Sequence, residues 1–430
     1  MGLVANRKLG ARALNRKWVA LILLVLAVML VLPPILHSYI YPNGGDDSGI
    51  HMNVIEQITP THPIPAVTDY AGEWIVGYPM ILARDYLHIP LPVSFMWFTY
   101  LALVGAMLTI YFVTSKLFGQ LTGLLTTILS VFVVGIILQQ FLAGLIFNLI
   151  NMSIVFLWFT YFLVTMIAKK KWTLLIPVGL TGALFMGFHA SGRYITGIGG
   201  ILKSLTSFTP VSDTDWKNYL LVAVIMVFVS AVGFIFALRE WNTNRRASLF
   251  IIILSLACVG LTIVGLPMLT ISPVPVRQLQ DAINLAVIIS GSVSTLWLRK
   301  LEPQQAVSAV IVVGVLGITM ITPQWLVRDF SSLKPADKQA IAYIKTLSDK
   351  TFYGNEYVAP WIYGHYIPQT YKPDTGIYIW RSVPMTMKTN PDNDTYWNPQ
   401  GDDTTVPSNV KSMKTFASNG VAIYVAEVAP

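Results

Sequence analysis

The sequence has one cysteine and very little charge. Cys258 sits alone in the apolar run LFIIILSLACVGL, so neither a disulfide framework nor a cysteine metal site can form. Only 12% of the 430 residues are charged, where ordinary soluble domains carry about 25%. That deficit excludes a water-soluble fold of this length. Walker loop, HExxH, GxSxG and CxxC motifs are all missing, so the chemistries those motifs carry have no support. Internal repeats and low-complexity segments are missing too.

What the chain has instead is long apolar runs, with 54% hydrophobic residues overall. About 20 apolar residues in a helix cross the core of a bilayer. Runs of that kind lie near Trp18–Leu36, Val93–Val113, Gly119–Leu138, Ile150–Ala168, Trp172–Phe188, Asn218–Leu238, Ala247–Leu266, Leu279–Leu298 and Ala306–Ile321. Nine such runs predict an all-α polytopic membrane protein with about nine transmembrane helices. The charge-free stretch 118–168 is split at Gln139-Gln140, where a short hairpin or re-entrant piece is expected. The first run follows a basic segment but lacks a small-residue cleavage site, so it is expected to stay as an anchor.

Basic residues orient these spans. Arg7, Lys8, Arg12, Arg16, Lys17, Lys116, Lys169, Lys170, Lys171, Arg239, Arg245, Arg246, Arg299 and Lys300 fall on one set of span ends, with only Glu240 and Glu302 as acids. The positive-inside rule makes that face cytoplasmic. The other face receives all six histidines and most of the acids. The expected topology is therefore N-terminus in and C-terminus out. The net charge of +8 is accounted for by lipid headgroups and insertion, and nucleic acid is not an expected partner.

Two external segments are large: a first loop over 41–92 and a tail over 322–430. The expected domains are thus a transmembrane domain over 1–321, loop included, and an external soluble C-terminal domain over 322–430. In the tail, DKQAIAYIKTL spaces Ala340, Ile341, Ile344 and Leu347 as a helix face. GVAIYVAEV reads as a strand, rich in β-branched and aromatic residues. A small α/β or α+β domain follows from that mixture.

The first loop opens with YPNGGDDSGIHMNVIEQI. Asn-Gly-Gly permits a sharp turn at the membrane exit. Asp46 and Asp47 come next, and a helix is predicted from Ser48 with His51 on the same face as Asp47. A plain capping role for the two acids is the competing reading. Ionisable clusters at a bilayer interface are functional candidates by default, however, and this chain spends charge sparingly. Further along, GEWIVGYPMILARDYLHIPLP combines Gly77-Tyr78-Pro79 with aromatics suited to lying at the interface. His189 and Arg193 lie four apart at the outer end of the fifth run. Arg277 and Asp281 lie four apart at the mouth of the eighth. An arginine there offers a lipid phosphate two parallel hydrogen bonds. An exposed Arg277–Asp281 ion pair, worth about 0.3–0.5 kcal/mol, is the alternative.

With these residues the chain resembles the GT-C superfamily of integral membrane glycosyltransferases, which use polyprenyl-phosphate-linked sugars as donors. DDSGIH at the start of the first external loop and the later GYPMILA carry the likeness, together with the helical core, the late arginine and the external C-terminal domain. The resemblance implies a GT-C-like fold and an inverting transfer to an extracytoplasmic glycan, lipid or protein in a plasma membrane. It implies that Asp46 or Asp47 is the catalytic base, or helps hold a divalent metal (Mg or Mn) as in metal-using relatives. It places His51 beside that acid or on the donor phosphate, Arg277 on the leaving phosphate, and His189 and Arg193 in the same phosphate pocket. The acceptor motif of oligosaccharyltransferases is missing, so protein N-glycosylation is not expected.

Two other classes stay open. A lipid-linked substrate transporter or flippase would show charges or broken helices near mid-membrane. A non-catalytic scaffold or receptor would use the tail as a binding module.

Overall fold

The computed structural model describes residues 16–37, 51–52, 54–59, 61, 71–142, 146–188, 213–268, 275–322, 335–344, 346–347, 352–354, 376–381, 410–418 and 421–428. Among them, six helices are long and apolar enough to cross a membrane: 16–36, 91–118, 146–169, 220–240, 245–263 and 279–298. Three shorter apolar helices cover 120–133, 172–188 and 304–317. Each of the nine runs read from the sequence therefore overlaps an apolar helix, and six of these helices have the length of a span. The chain is a helical membrane protein.

The chain divides into two compact units. The first holds residues 1–38, 100–140 and 146–329, and the second holds 39–99, 141–145 and 330–430.

In the first unit, α1 (Arg16–Leu36) buries Val19, Leu23, Leu26 and Leu30 as one stripe. Its other faces expose Trp18, Leu21, Leu24 and Val25, which suits lipid and would be costly in water. A later helix, α2 (Ala71–Leu87), belongs to the second unit. The unit boundary falls inside α3 (Leu91–Phe118). Gly119, with φ 102°, turns the chain from α3 into α4 (Gln120–Ile128), a backbone angle that glycine adopts without strain.

The helix after Gly119 does not run to Gln139. It loosens into a π-helical turn over Leu129–Val133 and breaks at Val134-Gly135, where Gly135 has φ 68°. The sequence reading placed the split at Gln139-Gln140, but Gln140 lies inside the next short helix, α5 (Ile136–Leu142). The break sits where glycine allows a left-handed residue, rather than at the most polar pair. Next come α6 (Ile146–Ile150), a second π-turn (Asn151–Val155) and α7 (Phe156–Lys169). Lys170 ends α7 in the left-handed conformation, and α8 (Leu175–Phe188) follows.

Among the described residues, the remaining helices of this unit are α9 (Asp213–Glu240), α10 (Arg245–Met268), α11 (Pro275–Val293), the short α12 (Thr295–Leu298) and α13 (Pro303–Thr322). Helices α9, α10 and α11 pack on one another, and α4 packs against α11 and α13. Glycines set the closest approaches: a Cβ on Gly291 would stand 2.6 Å from Thr126 Oγ1, and one on Gly233 2.6 Å from Ile289. Small residues at such crossings are what helix packing in a membrane requires, because lipid offers no hydrophobic drive between helices. A buried Thr122–Thr295 hydrogen bond of 2.9 Å ties α4 to α12.

In the second unit, the tail forms α14 (Pro335–Ile344) and a four-stranded sheet. The strands are β1 (Phe352–Gly354), β2 (Gly376–Arg381), β3 (Val410–Ser418) and β4 (Val421–Val428), in the order β1-β2-β4-β3. β1 and β2 are parallel; β4 is antiparallel to both its neighbours. α14 lies against β3 and β4 with Ala336, Ala340 and Ile344 fully buried. Burying Ile344 alone contributes about 1.5–3 kcal/mol. Ser418 Oγ accepts from the Ala336 N–H at 2.8 Å, capping the start of α14. The helix and the last strand agree with the sequence reading of an α/β tail.

Candidate functional site

Two polar constellations stand out against the apolar background, one in each unit.

In the second unit, residues 51–52 and 54–56 are helical. His51 and Ile55 fall one turn apart on the same face. On α2, Glu73 and Gly77 repeat that spacing. The two faces meet in register. His51 Nδ1 lies 2.8 Å from Glu73 Oε1, and Ile55 and Ile58 seat over Gly77. A Cβ at Gly77 would fall 2.7 Å from Ile55 Cγ1 and 2.9 Å from Ile58 Cδ1. Gly77 of the Gly-Tyr-Pro segment is thus the point where the two segments touch, and its missing side chain sets their separation. Ile55, Ile58 and Ile81 are fully buried around it.

His51 is 7% exposed and Glu73 3%, so the pair is desolvated. Burying a carboxylate costs several kcal/mol unless it is partnered, and the imidazole N–H supplies one hydrogen bond. Glu73 also lies in the first turn of α2, where the helix dipole favours negative charge. A carboxylate on Nδ1 fixes the ring's orientation and leaves the chemistry to Nε2. Nearby, Arg84 bonds Asp85 at 2.8 Å and faces Glu56 at 3.6 Å. Both contacts are half-exposed and contribute little. Tyr86 and Leu87 at the far end of α2, and Ile89 just beyond it, are exposed, as an interfacial helix end would be.

In the first unit, Asp281 is 1% exposed. The sequence reading put it at the mouth of a span as a potential surface partner of Arg277. It lies buried in α11, where Gln140 Nε2 and Asn148 Nδ2 each donate to Asp281 Oδ1 at 2.8 Å. These donors come from α5 and α6, which follow the break at Gly135. One turn beyond Asp281, Asn284 Nδ2 donates to Ser153 Oγ at 2.9 Å. Ser153 belongs to the second π-turn, and such turns recur at functional sites. Gln140, Asn148, Ser153 and Asn284 are all buried.

Of the residues to which the resemblance gave a role, His51 is the one whose side-chain surroundings are described. Asp46, Asp47, His189 and Arg193 lie outside the described residues. For Arg277 the backbone alone is described; it lies in the first turn of α11, four residues before Asp281. Glu73, Gln140 and Asn148 were missed. Glu73 had a usable signal, being a lone acid in the apolar helix AGEWIVGYPMIL. Gln140 and Asn148 stood in a charge-free run, where side-chain amides are the polar groups left to notice. Among the described residues no three His, Cys, Asp or Glu side chains form a metal-binding group.

Compared with known proteins, the chain matches no family model, no curated protein and no solved structure.

Proposed function

We propose that this chain is a membrane glycosyltransferase of GT-C type, transferring a sugar from a polyprenyl-phosphate donor to an extracytoplasmic glycan, lipid or protein. The observation that carries the reading is the buried His51–Glu73 pair. A chain that is 12% charged places a desolvated histidine–carboxylate pair four residues after Asp47, on the loop that bears the acids. Such a pair costs desolvation energy, which favours a positioning role over a purely structural one.

In this reading all nine apolar helices cross the membrane, the N-terminus is cytoplasmic, and the first loop and tail are external. Asp46 or Asp47 takes the proton from the acceptor hydroxyl. The hydroxyl oxygen forms its bond to the anomeric carbon as the bond from that carbon to the phosphate oxygen breaks, inverting the centre. The leaving polyprenyl phosphate gains charge, which Arg277 neutralises; contact with the donor phosphate is likewise the role this reading gives His51, His189 and Arg193.

The test is binding. Short-chain polyprenyl phosphate should raise the Tm of the purified protein saturably, and Arg277→Ala should weaken that response. Asp46→Asn with Asp47→Asn should leave it intact, since the base is not needed to hold the donor. A Tm indifferent to every lipid phosphate would contradict the reading.

A specific observation favours a second reading, a lipid-linked substrate transporter or flippase. The helix broken at Gly135 and the buried Asp281 are features such proteins use. Movement of a labelled lipid-linked sugar across proteoliposomes, without turnover, would select that reading.

A further inference from the structure

Several helix ends of the first unit are tied together around the turn between α9 and α10. Asn244, in that turn, donates from Nδ2 to the Leu117 carbonyl at the end of α3, at 3.0 Å. Thr295 of α12 donates to the neighbouring Phe118 carbonyl at 3.4 Å. Arg299, just past α12, holds Glu240 at the end of α9, with Nη1 3.2 Å from Oε2. Helices 91–118, 220–240, 245–263 and 279–298, whose ends meet here, are long and apolar enough to span a bilayer. Lys116, Arg239, Arg245, Arg246, Arg299 and Lys300 are carried on these ends, with Glu240 and Glu302 as the acids. Glu240 is largely covered, at 14% exposed, and its partner Arg299 stays 51% exposed. Arg245 stands over the Trp241 ring, 5.3 Å from its centroid. Among the described residues, Lys116, Arg239, Arg246 and Lys300 have no ion-pair partner. Exposed apolar side chains border this charge, Leu238 beside Arg239 and Trp297 beside Arg299.

We infer that this turn is a docking surface for the headgroup of an anionic phospholipid, with Arg245 and Arg299 as its main phosphate ligands. Excess positive charge where helices leave a bilayer attracts anionic lipid. Guanidinium groups suit phosphate because they donate paired, parallel N–H bonds. Resting on an aromatic ring orients a guanidinium and leaves its in-plane N–H groups to donate, and Trp241 offers that support to Arg245. Arg299 is steadied in turn by Glu240. The exposed Trp297 and Leu238 select lipid over a free phosphate ion. An indole ring favours the headgroup level, and both side chains offer apolar surface to the glycerol and acyl chains that a free ion lacks. The surface uses none of the residues proposed for sugar transfer, so either can fail without the other.

The experiment is thermal unfolding of the purified full-length chain in detergent micelles, titrated with phosphatidylglycerol, phosphatidylcholine or inorganic phosphate at equal ionic strength. Phosphatidylglycerol should raise Tm saturably by about 2–5 °C, and the other two should not. Arg245→Gln with Arg299→Gln should raise the half-saturating phosphatidylglycerol concentration at least about tenfold. Lys116→Gln with Arg246→Gln gives the same direction of change if the first pair does not fold. Lys169→Gln with Lys171→Gln removes as much charge from the turn between α7 and α8, and should stay within about twofold of wild type. No response to phosphatidylglycerol would overturn the surface. An equal response to phosphatidylcholine would overturn recognition by charge, and an equal response to inorganic phosphate would overturn lipid as the occupant. Equal losses in the Arg245, Arg299 pair and the Lys169, Lys171 pair would overturn the location.

Discussion

Removing either member of the His51–Glu73 pair should destabilise the first loop far more than removing an exposed ion pair. The two atoms are 2.8 Å apart, with side chains 9% and 4% exposed. At that burial a hydrogen bond to a charged group contributes about 1.5–3 kcal/mol. Truncating one partner adds the cost of leaving the other buried, so His51→Ala and Glu73→Ala should each cost about 3 kcal/mol or more. The double variant leaves neither member of the pair facing the other's absence, and its loss should fall short of the sum by about 1.5–3 kcal/mol. The assay is a double-mutant cycle on the purified protein, reading Tm and the rate of proteolytic cleavage within the loop. Tm moves by about 2–4 °C per kcal/mol for a domain of some 150–250 residues. Glu73→Gln keeps the shape while removing the charge, and should fall between wild type and Glu73→Ala. Additive losses, within about 0.5 kcal/mol, would refute the coupling and with it the positioning role of Glu73.

Other outcomes follow from the packing of the first unit. Gly291→Ala places a methyl group 2.9 Å from the Cα of Thr126, which cannot swing aside as a side-chain end could. A loss of about 1–3 kcal/mol is expected in thermal unfolding. Asp281→Ala strands the amide N–H groups of Gln140 and Asn148. At about 1–3 kcal/mol for each unmet donor, the variant should show markedly lower Tm and poorer recovery from membranes than Arg84→Ala, which loses only half-exposed contacts.

The helices were legible because apolar runs of span length have few other uses, and each run overlaps an apolar helix. The break was misplaced for a physical reason. Gln139-Gln140 is the most polar pair of its run, but the left-handed residue the break needs is supplied by Gly135, and glycines are scattered through all these helices. Asp281 was misjudged on similar grounds. Its distance along the chain from the end of the apolar run placed it at a surface, while its burial depends on Gln140 and Asn148, more than a hundred residues away. The His51–Glu73 pair lay half within reach: the histidine stood out beside two acids, and its partner was hidden in a segment noticed for its aromatics. In the tail, the periodicity of α14 and the β-branched run of β4 were readable. The placement of β4 between β2 and β3 was not, because strand order is set by pairing across the chain.

The central claim is that the acids of the first loop drive sugar transfer outside the membrane. The most direct measurement is transfer of radiolabelled sugar from short-chain polyprenyl-phosphate donors by the purified protein, beside its Asp46→Asn, Asp47→Asn variant. The account predicts turnover by the wild type and loss of at least about 100-fold in the variant, the usual scale for a general base. Equal turnover by a folded variant, or none by the wild type with any donor sugar, would contradict it.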